Sequence, residues 1–121
     1  MKKYEIGDIV WVKELNDKNE ERVNNHLFVV IDDDGKIVPM EYFGFVVSSN
    51  LSKSKTNSKF RYNEPISKNE KNKLNSDSIV KCDQLFNIPK YNINYKIGTV
   101  DTEDLMRFLQ AYNNYLNEKK D

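Results

Sequence analysis

The chain has 121 residues, of which 31% are charged, and its 19 basic and 19 acidic side chains give a formal net charge of zero. A chain of this length forms one domain with its own core, so we expect a single domain over residues 1–121. No apolar run approaches the roughly 18 to 20 residues that span a bilayer, and the start MKKYEIGD lacks the apolar stretch of a signal peptide, so we expect a cytoplasmic protein.

Metal ligands are scarce in the sequence. Cys82 is the single cysteine and His26 the single histidine, which excludes an internal disulfide and a multi-cysteine metal site and argues against a zinc site. We therefore expect no cofactor, and any chemistry is expected to proceed without a metal.

The charges are distributed unevenly along the chain. Residues 1–49 hold six basic and ten acidic side chains, residues 50–75 hold seven and two, and residues 76–121 hold six and seven. The basic middle segment is too confined for sequence-independent duplex binding, but it permits a local polyanion site. The alternative interpretation is a solvated lysine-rich loop.

The first half of the chain predicts β-strands. Asp8 to Lys13 is rich in β-branched and aromatic residues, and residues 16–25 are polar and predict a long loop. Leu27 to Ile31 predicts a buried strand that ends before the turn signal Asp34-Gly35. The next predicted strand is Ile37 to Val47, and Gly44 in its middle indicates a bulge or a sharp bend.

The middle of the chain alternates between polar segments and short apolar runs. Residues 48–59 are nearly of low complexity and predict a flexible loop. Phe60 to Tyr62 is expected to return to the sheet, and Lys68 to Leu74 predicts a short polar helix or turn. One more short strand or extended segment is expected at Lys96 to Val100.

The segment Ser78 to Pro89 predicts a buried strand that carries two charges. The period of two places Lys81 and Asp83 on one face of that strand. An acid and a cation fixed side by side are typical of a proton-transfer pair, and equally of a solvated ion pair.

The clearest helix is at the end of the chain. Asp101 or Thr102 is the expected N-cap, and acidic residues follow in the first turn. One apolar face is predicted from the three- and four-residue spacing of Leu105, Phe108, Leu109, Tyr112, Tyr115 and Leu116. Five or more short strands and this amphipathic helix predict a mainly β (α+β) fold, a small curved antiparallel barrel with a short helix and a C-terminal helix.

Five segments in this order resemble the MazF/PemK family of bacterial toxin ribonucleases: GDIVWV, HLFVVID, VVSSN, SIVKCDQLFNI and KIGTVDTEDLMRFLQAY. The resemblance runs from Gly7 to about Leu116. It implies an SH3-like barrel, a homodimer, cleavage of single-stranded RNA without a metal, and inhibition by a cognate antitoxin.

The resemblance also implies positions for the catalytic groups. The family's phosphate-contacting hydroxyl falls on Ser48, and the acid and base of members with an RCDQ-like sequence match Lys81 and Asp83. His26 stands where the family usually has an arginine, and a histidine lacks the bidentate fork that clamps a phosphate. Either His26 takes a proton-transfer role itself or the site is weakened.

The chemistry expected of these groups starts from the ribose 2′-hydroxyl, which RNA supplies as its own nucleophile. Asp83 is the candidate base, Lys81 is the electrostatic partner of the phosphorane, and His26 is the candidate acid. Ser48 is expected to donate a hydrogen bond to a non-bridging oxygen. The products would carry 2′,3′-cyclic phosphate and 5′-hydroxyl ends.

A wider set of residues is expected to bind the RNA strand through charge, stacking or hydrogen bonds: Ser49, Lys53, Lys55, Lys59, Arg61, Tyr62 and Gln84. The same basic groove would suit an acidic antitoxin tail. Two other functions remain open at this point, a non-catalytic relative that inhibits a gyrase-type protein and an SH3-like interaction module.

Overall fold

The computed structural model describes residues 3–13, 15–16, 22–23, 26–51 and 60–119. Within these residues nine strands precede one α-helix, and a short 3-10 helix lies at Lys90–Asn92. The strands are β1 Asp8–Val12, β2 Leu15–Asn16, β3 Arg22–Val23, β4 His26–Asp33, β5 Glu41–Ser48, β6 Asn63–Ile66, β7 Ser78–Lys81, β8 Phe86–Pro89 and β9 Ile93–Thr99, and the helix is α1 Thr102–Lys119.

Seven strands form one antiparallel sheet in the order β6-β7-β5-β4-β1-β9, and β8 pairs with β5 beyond the end of β7. The other two strands, β2 and β3, pair with each other. The prediction of a mainly β fold with a C-terminal helix is confirmed. In the described part of the chain the sheet is open, because its path ends at β6 and β9. None of the helices described is long and apolar enough to cross a bilayer.

Alternation along the strands separates two apolar cores on opposite faces of the sheet. The helix-side core contains Ile9, Val29, Phe45, Val47 and Val80 together with Phe108 of α1. The second core is built from the intervening residues, including Val10, Val12, Phe28, Val30 and Val46. The helix α1 covers one of these cores, and the other is closed by residues that include Tyr4, Phe86 and Ile88.

The irregularity expected at Gly44 lies in the partner strand. Val30 pairs with Gly44 and Asp32 with Phe43, so Ile31 is the extra residue of a bulge in β4. A Cβ atom on Gly44 would lie 2.5 Å from the carbonyl oxygen of Val29, which is why only glycine fits there.

Several predicted boundaries are wrong, for local reasons. The strand predicted over Ile37 to Val47 begins only at Glu41, and Ile37 is 96% exposed in the preceding loop. Phe60 to Tyr62 forms a turn rather than a strand, so the chain re-enters the sheet at Asn63. The polar loop expected over residues 16–25 contains part of the β2–β3 pair.

The segment predicted as one strand, Ser78 to Pro89, is two strands. Both β7 and β8 pair with β5, but residues 82–85 leave the sheet between them as a turn and an irregular stretch. Lys68 to Leu74, predicted as a short helix or turn, is a turn.

The C-terminal helix is confirmed, and it begins at Thr102 directly after Asp101. Phe108 is fully buried, Leu105, Leu109 and Tyr112 pack against the helix-side core, and Leu116 is exposed. The apolar face of α1 therefore contacts the core mainly through its first three turns.

Candidate active site

Three of the candidate catalytic residues lie on three adjacent strands, β4, β5 and β7, and Lys81 lies two positions beyond Ile79, the partner of Ser48, toward the interior of β5. His26 is the first residue of β4, Ser48 the last of β5 and Lys81 the last of β7. Leu27 pairs with Val47, which places His26 beside Ser48.

The register also fixes the face on which these side chains lie. His26 pairs with Val12, whose side chain belongs to the second core. Ser48 pairs with Ile79, and Lys81 follows Ile79 by two residues on the same face. His26, Ser48 and Lys81 therefore share one face, which we call the catalytic face, at the end of the second core.

The electrostatics of His26 reflect this arrangement. Burial lowers the pKa of the half-buried imidazole below its ordinary value of 6.5, and the positive charge of Lys81 lowers that pKa further. The lowered pKa keeps the imidazole of His26 mainly neutral at pH 7 in the free protein.

Ser48 is held at the point where β5 ends. Its Oγ accepts a hydrogen bond from the backbone N–H of Asn50 at 3.2 Å. A serine hydroxyl that accepts one bond still has its own hydrogen to donate. Ser48 is thus oriented for donation to an acceptor such as a phosphate oxygen.

The prediction that Lys81 and Asp83 share one face of a strand is wrong. β7 ends at Lys81, and Asp83 follows in the turn that interrupts the path from β7 to β8. Gln84 lies in the same segment, and both side chains are half-buried. The alternating pattern of the sequence does not show where a strand ends.

Arg61 and Tyr62 pack against α1. The guanidinium group of Arg61 forms an ion pair with Glu118 and lies 5.0 Å from the centre of the Tyr62 ring. That ring contacts Tyr115 edge to face at 5.3 Å. Lys53, Lys55 and Lys59 lie outside the described residues.

A cavity of about 280 Å³ opens beside the same strand ends. Its walls belong to β1, β4, β5 and the segment before β7, namely Trp11, His26, Leu27, Val47, Ser49, Leu74, Asn75, Ser76 and Ser78. His26 therefore borders both the catalytic face and the cavity. Apart from His26 and Ser49, sequence reasoning missed these residues as site residues, because the segments that carry the family resemblance do not show which of their apolar positions line a cavity.

No group of three or more His, Cys, Asp or Glu side chains in the described part of the chain is arranged to hold a metal ion. The polar groups that the strand ends assemble are an imidazole, a hydroxyl and an ammonium group. These groups are able to bind an anion and to transfer a proton.

Comparison with known proteins identifies the family of this chain. The model of the PemK-like, MazF-like toxins of type II toxin-antitoxin systems matches residues 5–116. The chain belongs to this family. The family is known for RNA endonuclease activity.

A solved structure supports the same fold. The Mycobacterium tuberculosis toxin MazF-mt6 is similar to this chain with a TM-score of 0.62 at 14% sequence identity, and the match covers 91% of this chain and 96% of that chain. At this identity the likeness shows the fold alone. A comparison with curated protein sequences found no match.

Proposed function

We propose that this MazF-like toxin is an endoribonuclease that cuts single-stranded RNA, including mRNA, in the cytoplasm and without a metal. The observation that carries the proposal is the shared face of His26, Ser48 and Lys81, at the positions expected from the family resemblance. The family match over residues 5–116 supports the reaction class.

The proposed reaction begins with a proton transfer from the ribose 2′-hydroxyl. The lowered pKa of His26 favours its neutral form, which accepts that proton through a ring nitrogen. The 2′-oxygen then attacks phosphorus, and the bond to the 5′-oxygen breaks. This assignment exchanges the acid role expected from the sequence for a base role.

The remaining groups handle charge and the leaving oxygen. Lys81 neutralises the charge that develops on the phosphorane and gives a proton to the departing 5′-oxygen, while Ser48 donates a hydrogen bond to a non-bridging oxygen. The products carry a 2′,3′-cyclic phosphate and a 5′-hydroxyl group. Water plays no part in this step, so no atom beyond those of the RNA is consumed.

Asp83 is the other candidate base, because the family resemblance gives the base role to this position. The two bases predict different pH profiles of kcat/KM. A neutral imidazole as base gives a rate that rises with pH through a pKa below 6.5 and is lost in His26→Gln. If Asp83 is the base, Asp83→Asn abolishes cleavage and His26→Gln retains most of it.

The proposed partners are those of a toxin module. A cognate antitoxin with an acidic segment would bind the basic surface and exclude RNA, and the toxin would act as a homodimer. We expect added antitoxin to restore intact RNA, and sedimentation of the purified toxin to give twice the mass of one chain.

The direct test is incubation of the purified toxin with a long single-stranded RNA in the presence of a chelator, followed by mapping of the new ends. Discrete cuts with 5′-hydroxyl ends support the proposal. Lys81→Gln is expected to reduce the rate at least about a hundredfold. The matched control is Lys68→Gln, at an exposed lysine outside the site, and its rate should be unchanged.

The outcome that contradicts the proposal is intact RNA at micromolar toxin. A toxin that leaves RNA intact would point instead to a non-catalytic relative, either a gyrase-type inhibitor or an interaction module.

A further inference from the structure

We infer that the cavity on the helix-side face, which His26 joins to the catalytic face across the strand ends, binds one nucleobase of the RNA adjacent to the cleaved phosphate, and that Asn75 contributes to its selection. The inference rests on the proposed ribonuclease function and extends it to substrate recognition. We call this cavity the base pocket.

The walls of the base pocket provide an aromatic plane and apolar contacts. Trp11, Leu27 and Val47 are paired across β1, β4 and β5, so they form one row on the helix-side face of the sheet. Trp11 is half-buried, and Leu74 closes the opposite wall. Flat apolar walls of this kind favour stacking of a base, since every base has a π-face.

The rim of the base pocket provides hydrogen-bonding groups. Ser49, Asn75 and Ser76 are exposed there, and Ser78 donates its hydroxyl hydrogen to the carbonyl oxygen of Ser76 at 3.0 Å. Within the described part of the chain, the side chains of Ser49 and Asn75 make no hydrogen bond to protein. The Asn75 amide therefore presents a donor and an acceptor side by side, which is what the edge of a base requires.

The described walls and the size of the base pocket suit a neutral, planar group. Among the described residues that line it there is no lysine, arginine, aspartate or glutamate. Its volume of about 280 Å³ is at the lower limit of small-molecule pockets and suits a single ring system. A neutral, planar group with hydrogen-bonding edges fits these properties, and a nucleobase is such a group.

The position of the base pocket connects it to the proposed reaction. His26 lines the pocket and also lies on the catalytic face, and Ser49 follows Ser48 directly. A strand whose phosphate contacts Ser48 would pass over the strand ends, and the neighbouring base would enter the pocket from there. The selected base is therefore expected within one nucleotide of the cut.

Trp11 provides a direct test, because it is the only tryptophan of the chain and all tryptophan fluorescence comes from the base pocket. The probes are short 2′-deoxy homo-oligonucleotides of A, C and T, which lack the nucleophile and stay intact, and an abasic strand of equal length. We expect saturable quenching by at least one base-containing strand and none by the abasic strand. Equal quenching by the abasic strand would overturn the inference.

Substitution of the rim isolates the role of Asn75. Asn75→Ala should weaken binding of the preferred strand by about tenfold, and Ser76→Ala provides a second exposed variant for the same readout. The matched control is Asn113→Ala, at an exposed position of α1, which should bind as the unsubstituted chain does. Binding unchanged in both rim variants would contradict the inference.

The cleavage assay separates this inference from the proposed function. With a randomised RNA pool, Asn75→Ala should lose nucleotide preference at one position next to the cut while still cutting RNA. If the unsubstituted chain cuts RNA but Asn75→Ala keeps every preference, the base pocket fails and the ribonuclease stands. If no RNA is cut but base-dependent quenching is observed, the ribonuclease fails and the pocket stands.

Discussion

At the scale of single residues, the exchange of a phosphate-binding arginine for His26 is the main departure from the family pattern implied by the resemblance. An arginine is charged at every accessible pH and grips a phosphate through two parallel hydrogen bonds. A histidine beside Lys81, with a pKa below its ordinary value, is mainly neutral at pH 7. The position is therefore suited to transfer a proton rather than to hold a permanent charge.

The lowered pKa of His26 is itself testable by NMR titration of the only imidazole in the chain. We expect a pKa below 6.5, and Lys81→Gln should raise it without restoring the ordinary value, because burial is the larger cause. Lys68→Gln is the control and should leave the pKa unchanged. A pKa at or above 6.5, or one that Lys81→Gln does not move, would contradict the placement of these groups.

The same shift has a consequence for stability. Because the folded pKa of His26 lies below the unfolded value, the unfolded chain binds more protons as the pH falls below about 6.5. The contribution of this group to the free energy of unfolding is thus present above that pH and is lost as the pH falls through the folded pKa. In Lys81→Gln this loss should be smaller.

At the scale of elements, the turn before β7 is fixed by a close approach to β9. The backbone carbonyl oxygen of Lys71 accepts a hydrogen bond from the backbone N–H of Thr99 at 3.0 Å. The fully buried Asn72 donates to the carbonyl oxygen of Ser67 and accepts from the backbone N–H of Leu74. These hydrogen bonds fix the backbone up to Leu74, where the segment that lines the base pocket begins.

Gly98 is the position where that approach tolerates no side chain. A Cβ atom there would lie 2.4 Å from the carbonyl oxygen of Asn72, so the backbone must shift in Gly98→Ala. We expect a loss of at least about 2 kcal/mol in the free energy of unfolding, measured in urea. The control is Gly35→Ala, where nothing lies within 4 Å and only the positive φ of 78° opposes the change.

The control should lose about 1 kcal/mol, which is the cost of a left-handed alanine. Equal losses in the two variants would mean that β9 and the turn are further apart than described.

The docking of α1 on β6 depends on Arg107. Its guanidinium group donates to Asp104 at 2.7 Å, to Glu64 at 3.1 Å and to the carbonyl oxygen of Pro65 at 2.9 Å. Arg107 is partly exposed, but the side chain of Glu64 is only 11% exposed. Removal of the arginine therefore leaves a carboxylate with little access to water.

We expect Arg107→Ala to lower the free energy of unfolding by about 2 kcal/mol. Arg107→Lys should recover only part of this, because an ammonium group lacks the planar fork that reaches three acceptors. In the background of Glu64→Gln the loss should shrink, since the nearly buried carboxylate that Arg107 faces is no longer charged. Additive losses in that double variant would show that the pair is not coupled.

At the scale of the whole molecule, the sequence predicts individual strands and the helix better than it predicts how the strands pair in the sheet. The strands β1 and β4 and the helix α1 follow from apolar runs and spacing that depend on local chemistry alone. The break between β7 and β8 does not follow from local chemistry, because the two strands pair with different parts of β5 and that pairing exists only in the assembled sheet.

The candidate site also combines residues that the sequence indicates with an arrangement that only the assembled fold defines. The family resemblance points to Ser48, and the strand pattern already points to Lys81, but their shared face with His26 follows from a register that only the assembled sheet defines. Trp11 and Asn75 are 64 positions apart in the sequence and meet only through the fold. Pockets formed by such distant residues leave no spacing that a single sequence reveals.

Cys82 reports on the integrity of the whole fold. It is the only cysteine, it is fully buried in the helix-side core, and its Sγ donates to the carbonyl oxygen of Val80 at 3.4 Å. Burial, followed by the negative charge of Glu64, raises the pKa of the thiol far above its ordinary value. Reaction with a thiol reagent therefore requires that the core opens.

We expect labelling of the native protein at least roughly a thousandfold slower than labelling in denaturant, because the opening is close to global unfolding. Arg107→Ala, with its loss of about 2 kcal/mol, should label about thirtyfold faster than the unsubstituted chain. Arg61→Ala is the control, since its exposed pair with Glu118 contributes less than about 1 kcal/mol and should change the rate less than about fivefold. Rapid labelling of the native chain, or equal rates in the two variants, would show that Cys82 is reached by a local motion that leaves α1 docked.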